Sequence, residues 1–119
     1  MSKIKIKVTV TNSEGINIYS SNAIILDNII KYKENDNTTV IYNYSKNELI
    51  RDNKDLKMNY IFDKDKKTIG KIEIKELNKI INLKIQTKEL NKNKNDIKVN
   101  FQVEGNDFIY QLEEEKWVY

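Results

Sequence analysis

Residues 70–90 read GKIEIKELNKIINLKIQTKEL, and they admit two structures. Leu77, Ile81 and Ile85 lie four apart and would stack on one face of a helix. Ile72 and Ile74, however, alternate with Lys71, Glu73 and Lys75. Ile81, Leu83, Ile85 and Thr87 then alternate with Asn82, Lys84, Gln86 and Lys88. Two period-two runs around a short polar link describe a pair of strands with one buried face each. The neighbouring segments arbitrate, and they favour strands.

Immediately upstream, Leu56, Met58, Tyr60 and Phe62 form the most apolar face in the chain, alternating with Lys57, Asn59 and Ile61, before a charged loop at 63–67. At the N-terminus, Ile4, Ile6, Val8 and Val10 alternate with Lys3, Lys5, Lys7 and Thr9, and a turn follows at 12–15. Residues 16–26 make a second extended run, weaker in pattern, with a kink expected around 20–22. After the turn signal Asp27-Asn28, Ile30, Tyr32 and Glu34 share one strand face. Asn35-Asp36-Asn37 reverses the chain into Val40, Tyr42 and Tyr44. Ser45-Lys46-Asn47 turns it into 48–51, and Asp52-Asn53 turns it again. Downstream, NKNKND at 91–96 reads as a solvent loop. Ile97, Val99, Phe101 and Val103 form a strand, Gly105-Asn106 a hairpin turn, and Phe108, Tyr110 and Leu112 another strand. Glu113, Glu114 and Glu115 lead to a short Trp117-Val118-Tyr119 end.

About eight to ten short strands in meander order, with no βαβ spacing, predict an all-β fold. Consecutive strands pair antiparallel, and closing the sheet removes its exposed edges. The expected architecture is therefore a single antiparallel meander barrel, one domain spanning residues 1–119.

Composition narrows the chemistry. The chain has 119 residues with no Cys, His or Pro, so it has no thiolate or imidazole for nucleophilic, acid–base or metal-ligand roles. Ile, Lys and Asn dominate and share A/T-rich codons, which points to a low-GC bacterial genome. The formal charge of +3 is carried by lysines spread along solvated strand faces. Nucleic-acid binding would call for clustered Arg and Lys with aromatic platforms between them, and that pattern is missing. Lys5 and Lys7 interrupt what would be the apolar core of a signal peptide, and no run is apolar enough for a membrane helix. A cytoplasmic protein is expected.

Several features resemble the YwiB-like family of small bacterial proteins of unknown function. They are Tyr32-Lys33-Glu34 closing a strand, Arg51 with a turn residue two places on, and residues 58–62 before a charged loop. Residues 85–90, IQTKEL, and the hairpin over 97–112 complete the match from about residue 28 onward. The resemblance implies a calycin-like, lipocalin-like β-barrel and brings no established activity or catalytic residues. Two positions depart from the family pattern. Asn53 stands where Arg-x-Gly is usual, and its left-handed propensity would preserve the turn. Asn78-Lys79 stands where a Gly is expected between the two strands of 70–90. The Arg packed over a Trp that often closes lipocalin barrels is not evident, since the one Trp, Trp117, lies at the extreme C-terminus.

Candidate ligand-binding residues are the inward tyrosines Tyr42, Tyr44, Tyr60 and Tyr110, with Tyr32 nearby, together with Arg51. Tyrosine combines an apolar ring with a hydroxyl that donates or accepts, although such rings also simply fill cores. Arg51 is the single arginine among twenty lysines, so its planar five-donor group answers a local need. It is either a clamp for an anionic ligand or, the favoured reading, a partner for Glu34 or Glu48. Asp63-Lys64-Asp65 lacks the later positions of a calcium loop, and no metal, cofactor or catalytic residue is assigned. Two functions follow. One is non-catalytic binding of a small amphipathic or anionic ligand inside the barrel. The other is a protein-interaction module or homodimer using an outer face, motivated by the outward-facing Ile41 and Ile61.

Overall fold

The computed structural model describes residues 2–115. They form ten strands: β1 (Ser2–Asn12), β2 (Gly15–Leu26), β3 (Ile29–Lys33), β4 (Thr39–Asn43), β5 (Glu48–Asp52), β6 (Leu56–Ile61), β7 (Thr68–Ile74), β8 (Lys79–Asn93), β9 (Asp96–Val103) and β10 (Asn106–Glu114). Each strand pairs antiparallel with the next, and β10 pairs with β1 to close the barrel. No helix occurs among the described residues.

Residues 70–90 are therefore two strands. Ile72 faces Ile81 and Gly70 faces Leu83 across the β7–β8 ladder. A helix would have buried Leu77, Ile81 and Ile85 and left Ile72, Ile74 and Leu83 with no interior. In the hairpin those three share a face with Met58, while Leu77 sits in the turn, 66% exposed. Asn78 supplies the missing glycine's geometry at φ 49°, as Asp27, Asn37 and Asn47 do in other turns. Asn tolerates this left-handed region because its short polar side chain compensates locally. Asn78→Gly should leave stability unchanged or raised, and Asn78→Ala should cost about 1 kcal/mol. Urea unfolding midpoints measure both; equal midpoints for Ala and Gly would contradict this account of the turn.

Four local expectations are corrected. β2 runs unbroken through 20–22, with Ser20, Ser21 and Asn22 in register with Lys7, Ile6 and Lys5. The ladder is not interrupted there, because pairing with β1 outweighs the weak side-chain pattern. Residues 91–93 extend β8, pairing Asn91 with Lys98 and Lys92 with Ile97, so the turn shrinks to Lys94-Asn95. Asn53 does not use a left-handed backbone. Its Oδ1 accepts from the backbone N–H of Asp55 and of Leu56, both at 2.9 Å, an Asx turn that reverses the chain without glycine. The β9–β10 turn lies at Glu104-Gly105, with Asn106 already in β10.

Alternate residues of every strand fill the interior. Ile6, Val8, Ile30, Val40, Tyr42, Ile85, Ile97, Val99 and Leu112 are fully buried at its centre. Burial at about 25 cal/mol per Å² of apolar surface is the main stabilising force in a chain without disulfides. Lysines occupy the opposite faces. Among the described residues no helix is long and apolar enough to cross a membrane. The Trp117-Val118-Tyr119 end lies outside the described residues.

Candidate functional site

A cavity of about 290 Å³ opens at the barrel end that carries the β1–β2, β3–β4 and β5–β6 turns. Strand alternation builds its walls. Tyr19 on β2, Tyr32 on β3 and Tyr110 on β10 all point inward, and their hydroxyls form a chain. Tyr32 and Tyr110 share a hydrogen bond at 2.7 Å, and Tyr19 and Tyr32 one at 3.3 Å. Tyr60, Phe101 and Phe108 supply aromatic walls, the two phenylalanines stacked at 5.6 Å between centroids. Asn12 and Asn17 make one side of the rim polar.

Arg51 and Glu34 meet across β4. Tyr32 pairs with Val40, and Val40 with Arg51, so the arginine lies two strands over in Tyr32's row. Glu34 is one inward step nearer the rim. Arg51 Nε donates to Glu34 Oε1 at 2.8 Å and Nη2 to Oε2 at 2.9 Å, a bidentate fork. Nη1 points at Met58 Sδ, 3.8 Å away. Burial alone would lower the guanidinium's pKa, but the hydrogen bonds and charge of Glu34 outweigh it and raise it above the ordinary arginine value. Arg51 therefore stays charged and already matched.

The tyrosines are held neutral. Burial pushes Tyr32 and Tyr110 well above the ordinary phenol range. Burial also raises Tyr19, partly offset by its bond to Tyr32, and raises Tyr60, partly offset by Arg51. At neutral pH the cavity thus offers phenolic donors, aromatic faces and an internally neutralised ion pair.

Of the sequence-derived candidates, Tyr60, Tyr110 and Arg51 line this cavity and Tyr42 and Tyr44 do not. Tyr42 is fully buried, stacked on Tyr110 at 6.3 Å and 9° with its hydroxyl unpartnered. Tyr44, just past the end of β4 in the β4–β5 turn, donates from its hydroxyl to the Asn95 carbonyl at 3.0 Å near the opposite end. Each two-residue step moves a side chain about 7 Å along the barrel, so three residues on one face reach three depths. Tyr19, Met58 and Phe108 were not singled out for the site. Tyr19 sits in the weakly patterned β2, and its inward direction follows only from pairing with Val8.

Among the described residues Glu34 is the one carboxylate that lines the cavity, and Arg51 occupies both its oxygens. The paired carboxylates of a glycosidase are thus not assembled at this mouth. Among the described residues no group of three or more acidic side chains is placed to hold a metal ion.

No family model and no curated protein matches the chain. Among solved structures, the crystal structure of the ywiB protein from Bacillus subtilis superposes with a TM-score of 0.61 at 15% sequence identity. The alignment covers 98% of this chain and 91% of that one. At such identity the likeness speaks to architecture alone: the protein has a YwiB-like β-barrel fold.

Proposed function

We propose that this chain is a calycin-like, non-catalytic cytoplasmic binding barrel for a small, neutral, amphipathic ligand seated at its mouth. The observation that supports this reading most is the 290 Å³ cavity lined by the Tyr19–Tyr32–Tyr110 hydroxyl chain. Its volume falls just below the range of drug-sized ligand pockets, about 300–1,000 Å³, which suits a single substituted ring. Tyr60, Tyr110 and Arg51 remain the proposed contacts, joined by Tyr19, Tyr32 and Phe108. Arg51 does not serve as a free anion clamp, because Glu34 fills its fork. A neutral ring with one hydroxyl or carbonyl fits better than a carboxylate, which would sit beside Glu34's own charge.

Calorimetric titration tests this with 4-ethylphenol and 4-ethylbenzoate. The phenol is expected to bind at least about tenfold more tightly, a difference of about 1.4 kcal/mol. Glu34→Gln frees the guanidinium and should narrow or reverse the preference. Absence of binding by either ring up to millimolar concentration, with no small molecule co-purifying in native mass spectrometry, would refute the pocket.

A second reading, an interaction module or homodimer, draws on the outer face of β2. Ile16, Ile18 and Leu26 are exposed there, as Ile61 is on β6, whereas Ile41 is half-buried. Light scattering distinguishes it: a monomer at every concentration up to about 100 µM, well above the micromolar range of ordinary stable association, removes the homodimer.

A further inference from the structure

The wall of the mouth continues outward along β6, β7 and β8. Leu56 and Met58 on β6, Ile72 and Ile74 on β7, and Ile81 and Leu83 on β8 share one face of the sheet. Met58 lines the cavity and faces Ile72, so this panel is an outward prolongation of the cavity wall. Leu56, in the outer row with Ile74, and Ile81, at the β8 edge of the Met58–Ile72 row, are 39% and 37% exposed. The opposite rim carries Asn12 and Asn17 instead. The panel is held in place: Lys75 Nζ pairs with Asp52 Oδ1 at 2.7 Å, and the Lys75 N–H donates to the Asp55 carbonyl at 3.0 Å. A pinned apolar shelf, continuous with an aromatic cavity and faced by a polar rim, matches an amphipathic outline with its polar ring inside.

From this we infer that the ligand carries a linear alkyl tail, which leaves the cavity beside Met58 and lies along the β6–β8 panel. The inference rests on the pocket reading, and the test separates the two. A series from 4-ethylphenol through 4-butylphenol to 4-hexylphenol is titrated calorimetrically into the intact protein. Burying each methylene against the panel should tighten binding about two- to fourfold, so hexyl should exceed ethyl by about tenfold or more. Leu56→Asn and Ile81→Asn, both at partly exposed positions, should each flatten the series while leaving 4-ethylphenol affinity unchanged. Circular dichroism confirms that each variant is folded, and should Ile81→Asn not fold, Leu56→Asn carries the comparison. A flat series in the unaltered protein with 4-ethylphenol still bound overturns the tail and leaves the pocket standing. A slope that survives in the folded variants overturns the panel as its seat. A flat series in a chain that runs at twice its mass assigns the panel to a second copy and also overturns the tail. No 4-ethylphenol binding removes pocket and tail together.

Discussion

The barrel should unfold cooperatively between about pH 11 and 12.5, its buried tyrosines ionising with the unfolding and not before it. Tyr32, Tyr42 and Tyr110 are nearly inaccessible in the folded state, and burial raises each well above the free-phenol value of 10.0. Each group's folded pKa lies above its unfolded one, so its contribution to stability is complete below pH 10 and is lost as pH rises towards the folded value. Above pH 10 the unfolded chain sheds these three protons and the folded chain does not. Each group then costs the fold about 1.4 kcal/mol per pH unit, and the three together about 4. Two units above pH 10 cost about 8 kcal/mol, comparable with the whole stability of a small domain. Tyrosinate absorbance at 295 nm and far-ultraviolet circular dichroism should change together over this range. Full tyrosinate absorbance near pH 10 with intact dichroism would show that the interior is not closed to water. Tyr42→Phe removes the unpartnered hydroxyl, so it should raise stability at pH 7 by about 1 kcal/mol. It should also reduce the alkaline slope by about a third.

The alternation that identifies the strands also fixes which way Tyr32, Tyr42, Tyr60 and Tyr110 point, because period two is a local property of the chain. It says nothing of depth. Tyr42 and Tyr44 share an inward face with Val40, yet one is packed core and the other bonds to a turn at the far end. Depth follows from strand tilt and barrel closure, which depend on all ten registers together. Arg51 was legible for a different reason: its identity departs from the lysine bias, and Glu34 follows as partner once β3, β4 and β5 are in register. The polar stretch 91–93 misleads because its strand is specified by β9 across the ladder and not by its own residues. The β6–β8 panel was half legible. Its apolar residues were plain, and their partial exposure appeared only when the hairpin was seen to continue outward from the cavity wall.

Gly70→Val is expected to destabilise the barrel by about 3 kcal/mol or more, and Gly70→Ala by about 1–3 kcal/mol. Space, and not backbone freedom, is the reason, since Gly70 does not adopt a left-handed φ. A Cβ there would lie 2.6 Å from Ile85 Cδ1, 2.8 Å from Tyr60 Cδ1 and 3.3 Å from the Asn59 carbonyl oxygen. The isoleucine tip is flexible in isolation, but Ile85 is fully buried in the core, so moving it displaces its neighbours. Tyr60 lines the cavity, so a displaced ring in Gly70→Ala should also weaken 4-ethylphenol binding. A double-mutant cycle isolates the clash. Ile85→Val alone removes the offending carbon and costs about 0.5–1.5 kcal/mol. Combined with Gly70→Ala it should cost less than the sum of the two by about 1 kcal/mol. Chemical denaturation of the four proteins measures this directly. Additive losses would place the strain on Tyr60 alone, and an unaltered midpoint for Gly70→Ala would mean that β7 does not pass this close to the core.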